Sequence, residues 1–151
     1  MITGKHGFIG RELVKRNLPD GVYYFGSPSS NILFDEDISA CIRETIDGFI
    51  SILDRCKRTG EYLVYPSSAT VYNKNTSYAR CKSILEELHL AYGIPALGLR
   101  IAAGYGPGEE TKGRYASVIY QWCMKMRDGY RPIIFGDGTQ TRDFIYIDDI
   151  V

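Results

Sequence analysis

The chain reads as an α/β fold, with a doubly wound, mostly parallel sheet and helices between its strands. Short apolar and aromatic runs alternate with amphipathic stretches of helical period, the pattern of βαβ units. Polar clusters follow Thr3, Phe25, Tyr65 and Ile101, at the carboxyl ends of the strand-like runs, where such sheets collect ligands. At 151 residues, with no repeat, low-complexity tract or linker, the sequence fits one domain, residues 1–151.

Met1–Thr3 is a short apolar start, and Ile9, Leu13 and Val14 fall on one face of a helix beginning near Phe8. "GVYYFG" (21–26) is aromatic and bounded by glycine, which predicts a buried strand, and "SPSSN" (27–31) predicts a loop. Ile38, Ile42, Ile46, Phe49, Leu53 and Cys56 recur at steps of three and four, so a long amphipathic helix ends near Gly60. "EYLVYPSS" (61–68) is strand-like, with Pro66 near its carboxyl end. From Tyr78 a helix carries Cys81, Leu85, Leu88 and Tyr92 on one stripe. "ALGLRIAAGYG" (96–106) reads as one apolar strand, Tyr115–Met126 as a helix, and "RPIIFGDG" (131–138) and "RDFIYIDDIV" (142–151) as strand-like.

Bulk properties narrow the function. Lys plus Arg equal Asp plus Glu at 18 each, which argues against a nucleic-acid partner. No apolar run approaches the roughly 20 residues of a membrane span, and the first ten residues lack the order of a signal peptide. Cys41, Cys56, Cys81 and Cys123 are scattered without a C-x-x-C pair and read as reduced, buried thiols of a cytoplasmic protein. With His6 and His89 also far apart, no metal site is expected.

Two clusters carry chemistry. In "TGKHGFIG" (3–10), Gly4, Gly7 and Gly10 between a strand and a helix let backbone N–H groups approach a pyrophosphate, though glycines also serve plain strand–helix turns. In "SSATVYNKNTSYARCK" (67–82), Tyr78 and Lys82 are four apart and share a helix face. An ammonium beside a phenol favours the phenolate, making Tyr78 a candidate general acid or base, with Ser68 at the preceding strand end to hold the reacting oxygen. The competing reading makes Tyr78 a core residue and Lys82 a solvated one.

Taken in order, G-x-x-G-x-x-G, S-S-x-x-V-Y and Y-x-x-x-K resemble the extended short-chain dehydrogenase/reductase family, in its NAD-dependent nucleotide-sugar epimerase/dehydratase branch. "LRIAAGYGPG" (99–108) and "GDGTQTRDFIYIDDIV" (136–151) resemble two further motifs of that branch. The resemblance implies a Rossmann-like sheet, here reduced in strand number, with residues 129–151 resembling the start of a small C-terminal substrate-binding part. It implies NAD or NADP as cofactor, the choice left open, and a nucleotide sugar as substrate. A homodimer through the helices of Tyr78 and Tyr115 is also implied.

Residue by residue, the resemblance implies Ser68, Tyr78 and Lys82 as the catalytic set. The cofactor would be held by Gly4, Lys5, His6, Gly7, Phe8, Ile9 and Gly10, by Gly26 and Ser27 after the next strand, and by Tyr78 and Lys82. The sugar nucleotide would meet Ser68, Thr70 and Arg142, the last alternatively a surface partner of Asp143 or Asp148. Ala69 and Thr70 stand where the branch's dehydratases carry an acidic pair, so epimerisation or carbonyl reduction by hydride transfer fits better than dehydration.

Several family features are missing or altered. Members run to roughly twice this length, and "GVYYFG" follows the first helix so closely that it resembles their fourth strand. The strand that ends in the ribose-reading residue is thus absent, and Thr45 and Ala103 replace family asparagines. Two functions therefore stand: an NAD(P)-dependent epimerase or reductase, and a non-catalytic cofactor-binding or oligomerisation remnant.

Overall fold

The computed structural model describes residues 1–151. β1 (Ile2–Thr3), β2 (Val22–Tyr24), β3 (Leu63–Ser68) and β4 (Ala96–Ile101) form a parallel sheet in that spatial order. Along β2 and β3 the side chains alternate: Val22, Tyr24, Leu63 and Tyr65 turn to one face and enter the main core. Phe49, Leu53 and Cys56 of α3 (Ile38–Thr59) and Leu85 of α4 (Ser77–Tyr92) close that core. Each such Leu or Phe, fully buried, contributes about 1.5–3 kcal/mol. Both helices are punctuated as their sequence asks. The Asp37 and Thr76 side chains accept the backbone N–H of Ala40 and Ala79, and Gly60 and Gly93 end them in the left-handed region.

The opposite face is built by different elements. On β4, Arg100 reaches Glu86 of α4, whereas Leu99 and Ile101 point away and line a hollow with Asp149 and Ile150 of α6 (Ile147–Ile150). α1 (Phe8–Leu13) docks beside α6: Arg16, just past α1, pairs with Asp148 at 2.6 Å, and Phe8 and Ile150 both lie against Gly104. The β1–α1–β2 connection therefore crosses on the side opposite to α3 and α4, although all three crossovers step in one direction along the sheet. Its hand is therefore the reverse of the other two. The result is that the chains leaving β1 and β2 run to opposite faces and open a crevice between their carboxyl ends, as in larger doubly wound sheets.

Several sequence expectations need correction. α2 (Asn31–Glu36) begins at the last residue of the expected loop and fills the stretch before the long helix, capped by Ser30 and packed on α3 and α4. The buried stripe of α3 is Cys41, Thr45, Phe49, Leu53 and Cys56, while Ile38 and Ile42 are exposed, because the first turns of α3 lie against Phe34 and Cys81. The 96–106 run splits at Ala102 into β4 and β5 (Ala103–Tyr105), and β5 pairs in parallel with β6 (Phe144–Tyr146) as a separate two-stranded sheet. Residues 130–143 form no strand: Phe135 is 82% exposed, and no neighbouring strand takes the hydrogen bonds of "RPIIFGDG". After β6 the chain turns into α6 rather than continuing as strand, and α5 spans Val118–Arg127 behind a 3-10 segment, Glu109–Tyr115. Of the four thiols, Cys123 is exposed and the other three are buried. No helix is long and apolar enough to cross a membrane.

Candidate active site

The turn after β1 is shaped by contacts that exclude side chains. Gly4 sits at φ +67°, and a Cβ there would strike the Phe25 carbonyl; a Cβ on Gly10 would strike the Gly4 carbonyl. The Phe25 N–H donates to Thr3 Oγ1 at 3.1 Å, locking the turn to the chain leaving β2. Phe8 and Gly10 are buried, while Lys5, His6 and Gly7 remain exposed at the crevice. Replacing Gly10 with Ala is expected to push α1 off β1. It should cost about 1–3 kcal/mol of stability in a denaturant titration and abolish dinucleotide binding by calorimetry.

A cleft of about 990 Å³ runs from this turn past the ends of β2, β3 and β4. His6, Phe8, Ser27, Ser68, Tyr78 and Arg142 are among its lining residues, so one space joins the glycine turn to the Ser–Tyr pair. Ser68 ends β3 and caps the 3-10 turn Ala69–Tyr72. Its Oγ accepts from the Thr70 N–H at 3.2 Å and from Thr70 Oγ1 at 2.9 Å, which leaves its own proton free to donate. Thr70 thus orients Ser68 from within the same cleft wall.

Tyr78, in the first turn of α4, is buried with its ring edge-on to Phe34 at 5.5 Å between centroids. Burial pushes the phenol above its usual range, while the Ser68 hydroxyl draws it back towards the phenolate. The depression expected from Lys82 is therefore not what the structure shows. The Lys82 Nζ lies 5.7 Å from the Tyr78 ring centroid and donates instead to Ser27 Oγ at 3.1 Å and the Pro66 carbonyl at 3.2 Å. At 1% exposure Lys82 is no solvated helix residue; burial presses its ammonium down to about 8, with the Cys81 thiol opposing.

Other expected residues fall less centrally. Arg142 is exposed on the cleft wall without an ion-pair partner in the chain, and Asp148 is taken by Arg16. Tyr72 turns outward at 76% exposure under the Arg100 guanidinium, and Gly26 packs on Gly4 rather than lining the cleft. Thr45 is fully buried with an unpartnered hydroxyl.

Two supports escaped the sequence reading. Glu86 accepts from Ser67 Oγ at 2.5 Å and from Arg100 through both carboxylate oxygens, at 2.9 and 2.7 Å. That guanidinium holds its carboxyl below the usual range and pins the end of β3 beside Ser68. Glu109, 1% exposed, accepts from the Gly106 and Ser117 N–H groups, the Ser117 hydroxyl and Lys112. It folds the loop that carries Lys112, Arg114 and Tyr115 along the cleft. At the cleft's outer side Arg114 and the Tyr115 hydroxyl both bond Glu36 of α2. The only signal for Glu109 in the sequence is an acid directly after a Gly-Pro-Gly turn.

Known proteins resemble this chain in sequence and in fold. A UDP-N-acetyl-alpha-D-glucosaminuronate decarboxylase of Bacillus cytotoxicus is 31% identical over 132 residues, 73% of this chain and 41% of the relative. UDP-glucuronate 4-epimerase 3 of Arabidopsis thaliana is 32% identical over 141 residues, 77% of this chain and 32% of that protein. This chain therefore spans well under half the length of both. In fold, it matches the crystal structure of a Thermotoga maritima UDP-glucose 4-epimerase with UDP-glucose at a TM-score of 0.88 and 20% identity, over 99% of this chain and 69% of that one. Residues 11–151 match the model of the NAD dependent epimerase/dehydratase family, and the chain belongs to that family.

Proposed function

We propose that the chain binds a nicotinamide dinucleotide and moves hydride to or from a sugar carbon of a nucleotide sugar, as an epimerase or carbonyl reductase. The observation that carries this reading is the single cleft joining the glycine turn, Ser68 and Tyr78, with the Lys82 ammonium buried behind them. The residues fit the cofactor. The crowded glycines at Gly4 and Gly10 leave backbone, not side chains, at the crevice between β1 and β2. Bound there, the nicotinamide would supply the hydride acceptor or donor.

The protein's own groups handle the proton. Tyr78, neutral in the unliganded cleft because burial raises it, donates its proton to a sugar carbonyl or, as phenolate, takes one from a hydroxyl. Ser68 donates to the same oxygen from the end of β3. Lys82 keeps a positive charge near the phenol and stabilises the phenolate as it forms. Ala69 and Thr70 follow Ser68, and no acid stands there to expel water. Arg142, unpaired on the wall, offers a guanidinium to the substrate diphosphate.

Calorimetric titration with NAD and NADP, followed by spectroscopic assay of reduced nicotinamide with UDP-glucose and UDP-glucuronate, tests the reading. Binding with turnover supports it, and no heat at millimolar cofactor overturns it. A cofactor-binding module without turnover is the second reading, favoured by the edge position of β1. That position also bears on cofactor choice. β1 pairs only with β2, so no strand beyond it carries an acid to read the adenosine ribose. NAD and NADP are expected to bind within about threefold of each other, under about 1 kcal/mol. A tenfold preference in the same titration would contradict this.

A further inference from the structure

Lys82 has three protons to place and almost no access to water. Two go to Ser27 Oγ at 3.1 Å and the Pro66 carbonyl at 3.2 Å. Pro66 is main chain within β3, held in register against Leu99, so its carbonyl cannot follow the ammonium if the lysine shifts. Ser27 is the side chain that completes the seat, and it comes from a different part of the fold, the segment leaving β2. We propose that Ser27 is a positioning residue: it fixes the Lys82 ammonium beside Tyr78 and ties it mechanically to the glycine turn. The proposal rests on the roles of Tyr78 and Lys82 given above.

The tie can be traced atom by atom. Thr3 Oγ1, at the end of β1, receives the Phe25 N–H at 3.1 Å. Gly26 packs on the turn so closely that a Cβ there would lie 3.1 Å from the Gly4 nitrogen. Ser27 follows directly and lines the cleft beside His6 and Phe8. A ligand that shifts the glycine turn therefore shifts Ser27, and with it the lysine. Ser27 Oγ accepts from Lys82, yet its own proton stays free to donate into the cleft, so the same hydroxyl can meet a ligand without releasing the ammonium.

An acceptor on a buried ammonium stabilises the charged form, and its removal favours the amine. Few other groups compensate. The titratable groups facing Lys82 are Tyr78 and Cys81 of its own helix, while the β2 segment and β3 bring only the uncharged Ser27 and Pro66. α3 contributes Cys41 and Thr45, and β2 contributes Tyr24, all against Cys81.

The test is the titration of Lys82 itself, followed by NMR of ¹⁵N-labelled lysine in the unliganded chain, with Lys82→Met for assignment. In Ser27→Ala the Lys82 midpoint is expected to fall by about one pH unit, the worth of one hydrogen bond to a charge. Ser27→Thr should restore it, and Ser27→Cys, similar in size and a weaker acceptor, should fall part of the way. In turnover, Ser27→Ala should lower kcat about tenfold, leave the KM for the sugar nucleotide unchanged, and move the alkaline limb of the pH profile down by the same unit. An unmoved Lys82 midpoint in both Ser27→Ala and Ser27→Cys overturns the proposal. A midpoint that moves in Ser27→Ala, in a chain whose wild type shows no hydride transfer, supports the seat and overturns only the catalytic reading of Tyr78.

Discussion

Replacing Tyr78 with Phe is expected to lower hydride transfer by about 10²–10⁴-fold while dinucleotide binding and the fold stay as they are. The phenol oxygen is the only part of the side chain that carries the proton. The ring itself packs edge-on against Phe34 and joins the small core of Phe34, Cys41 and Cys81. Phe keeps that ring, so thermal unfolding should move little. The loss should appear in kcat rather than in the KM for the cofactor, because a proton transferred only in the transition state contributes nothing to ground-state binding. Single-turnover absorbance of reduced nicotinamide reads this directly. Turnover equal to the wild type would remove Tyr78 from the reaction, and Ser68 would be the next group to examine.

The second large effect is on stability, at a residue no catalytic motif includes. Glu109→Ala removes the acceptor for two backbone N–H groups, one hydroxyl and one ammonium, all within a loop otherwise held by few regular hydrogen bonds. Lys112 can turn to water, but the Gly106 and Ser117 N–H groups are left without their partner. Breaking such a buried charged cluster costs about 3–5 kcal/mol. For a domain of this size that is about 10 °C in Tm, measurable by calorimetric melting. Glu109→Gln, which keeps one acceptor oxygen, should lose less. The loop carries Lys112, Arg114 and Tyr115 along the cleft, so sugar-nucleotide affinity should fall alongside Tm. A Tm unchanged in Glu109→Ala would mean that water satisfies these donors as well as the carboxylate does.

Much of the fold was legible because its signals are local. The α4 stripe of Cys81, Leu85, Leu88 and Tyr92 packs on the core at the spacing that predicts it. Thr76 and Gly93 mark that helix's ends by side-chain capping and by left-handed backbone, both properties of single residues. Strand β3 begins and ends within two residues of "EYLVYPSS". The failures are equally specific. Ile38 and Ile42 fit a helical stripe, yet Cys41 and Thr45 are the residues turned inward, since apolar character does not say which neighbours a helix will meet. "RPIIFG" has strand composition, but a strand needs a partner edge, and none lies beside it.

The candidate site divides the same way. Gly4, Gly10, Ser68, Tyr78 and Lys82 could be named as candidates from spacing, because a tight turn, a strand end and one helix turn are each short-range constraints, and the family resemblance gave them roles. The cleft that joins Ser68 and Tyr78 to the glycine turn, the direction of the Tyr78 shift, the Ser27 seat for Lys82 and the Glu109 cluster could not. Each depends on groups brought together across the chain: Ser27 is 55 positions from Lys82, and Arg11 binds the Gly108 carbonyl 97 positions away. By itself the sequence determined the residue types of the candidate site and the order of elements that carry them. The tertiary structure decided whether burial or a neighbouring charge governs each group, because desolvation and hydrogen bonding act over a few ångströms, and only folding makes distant residues neighbours.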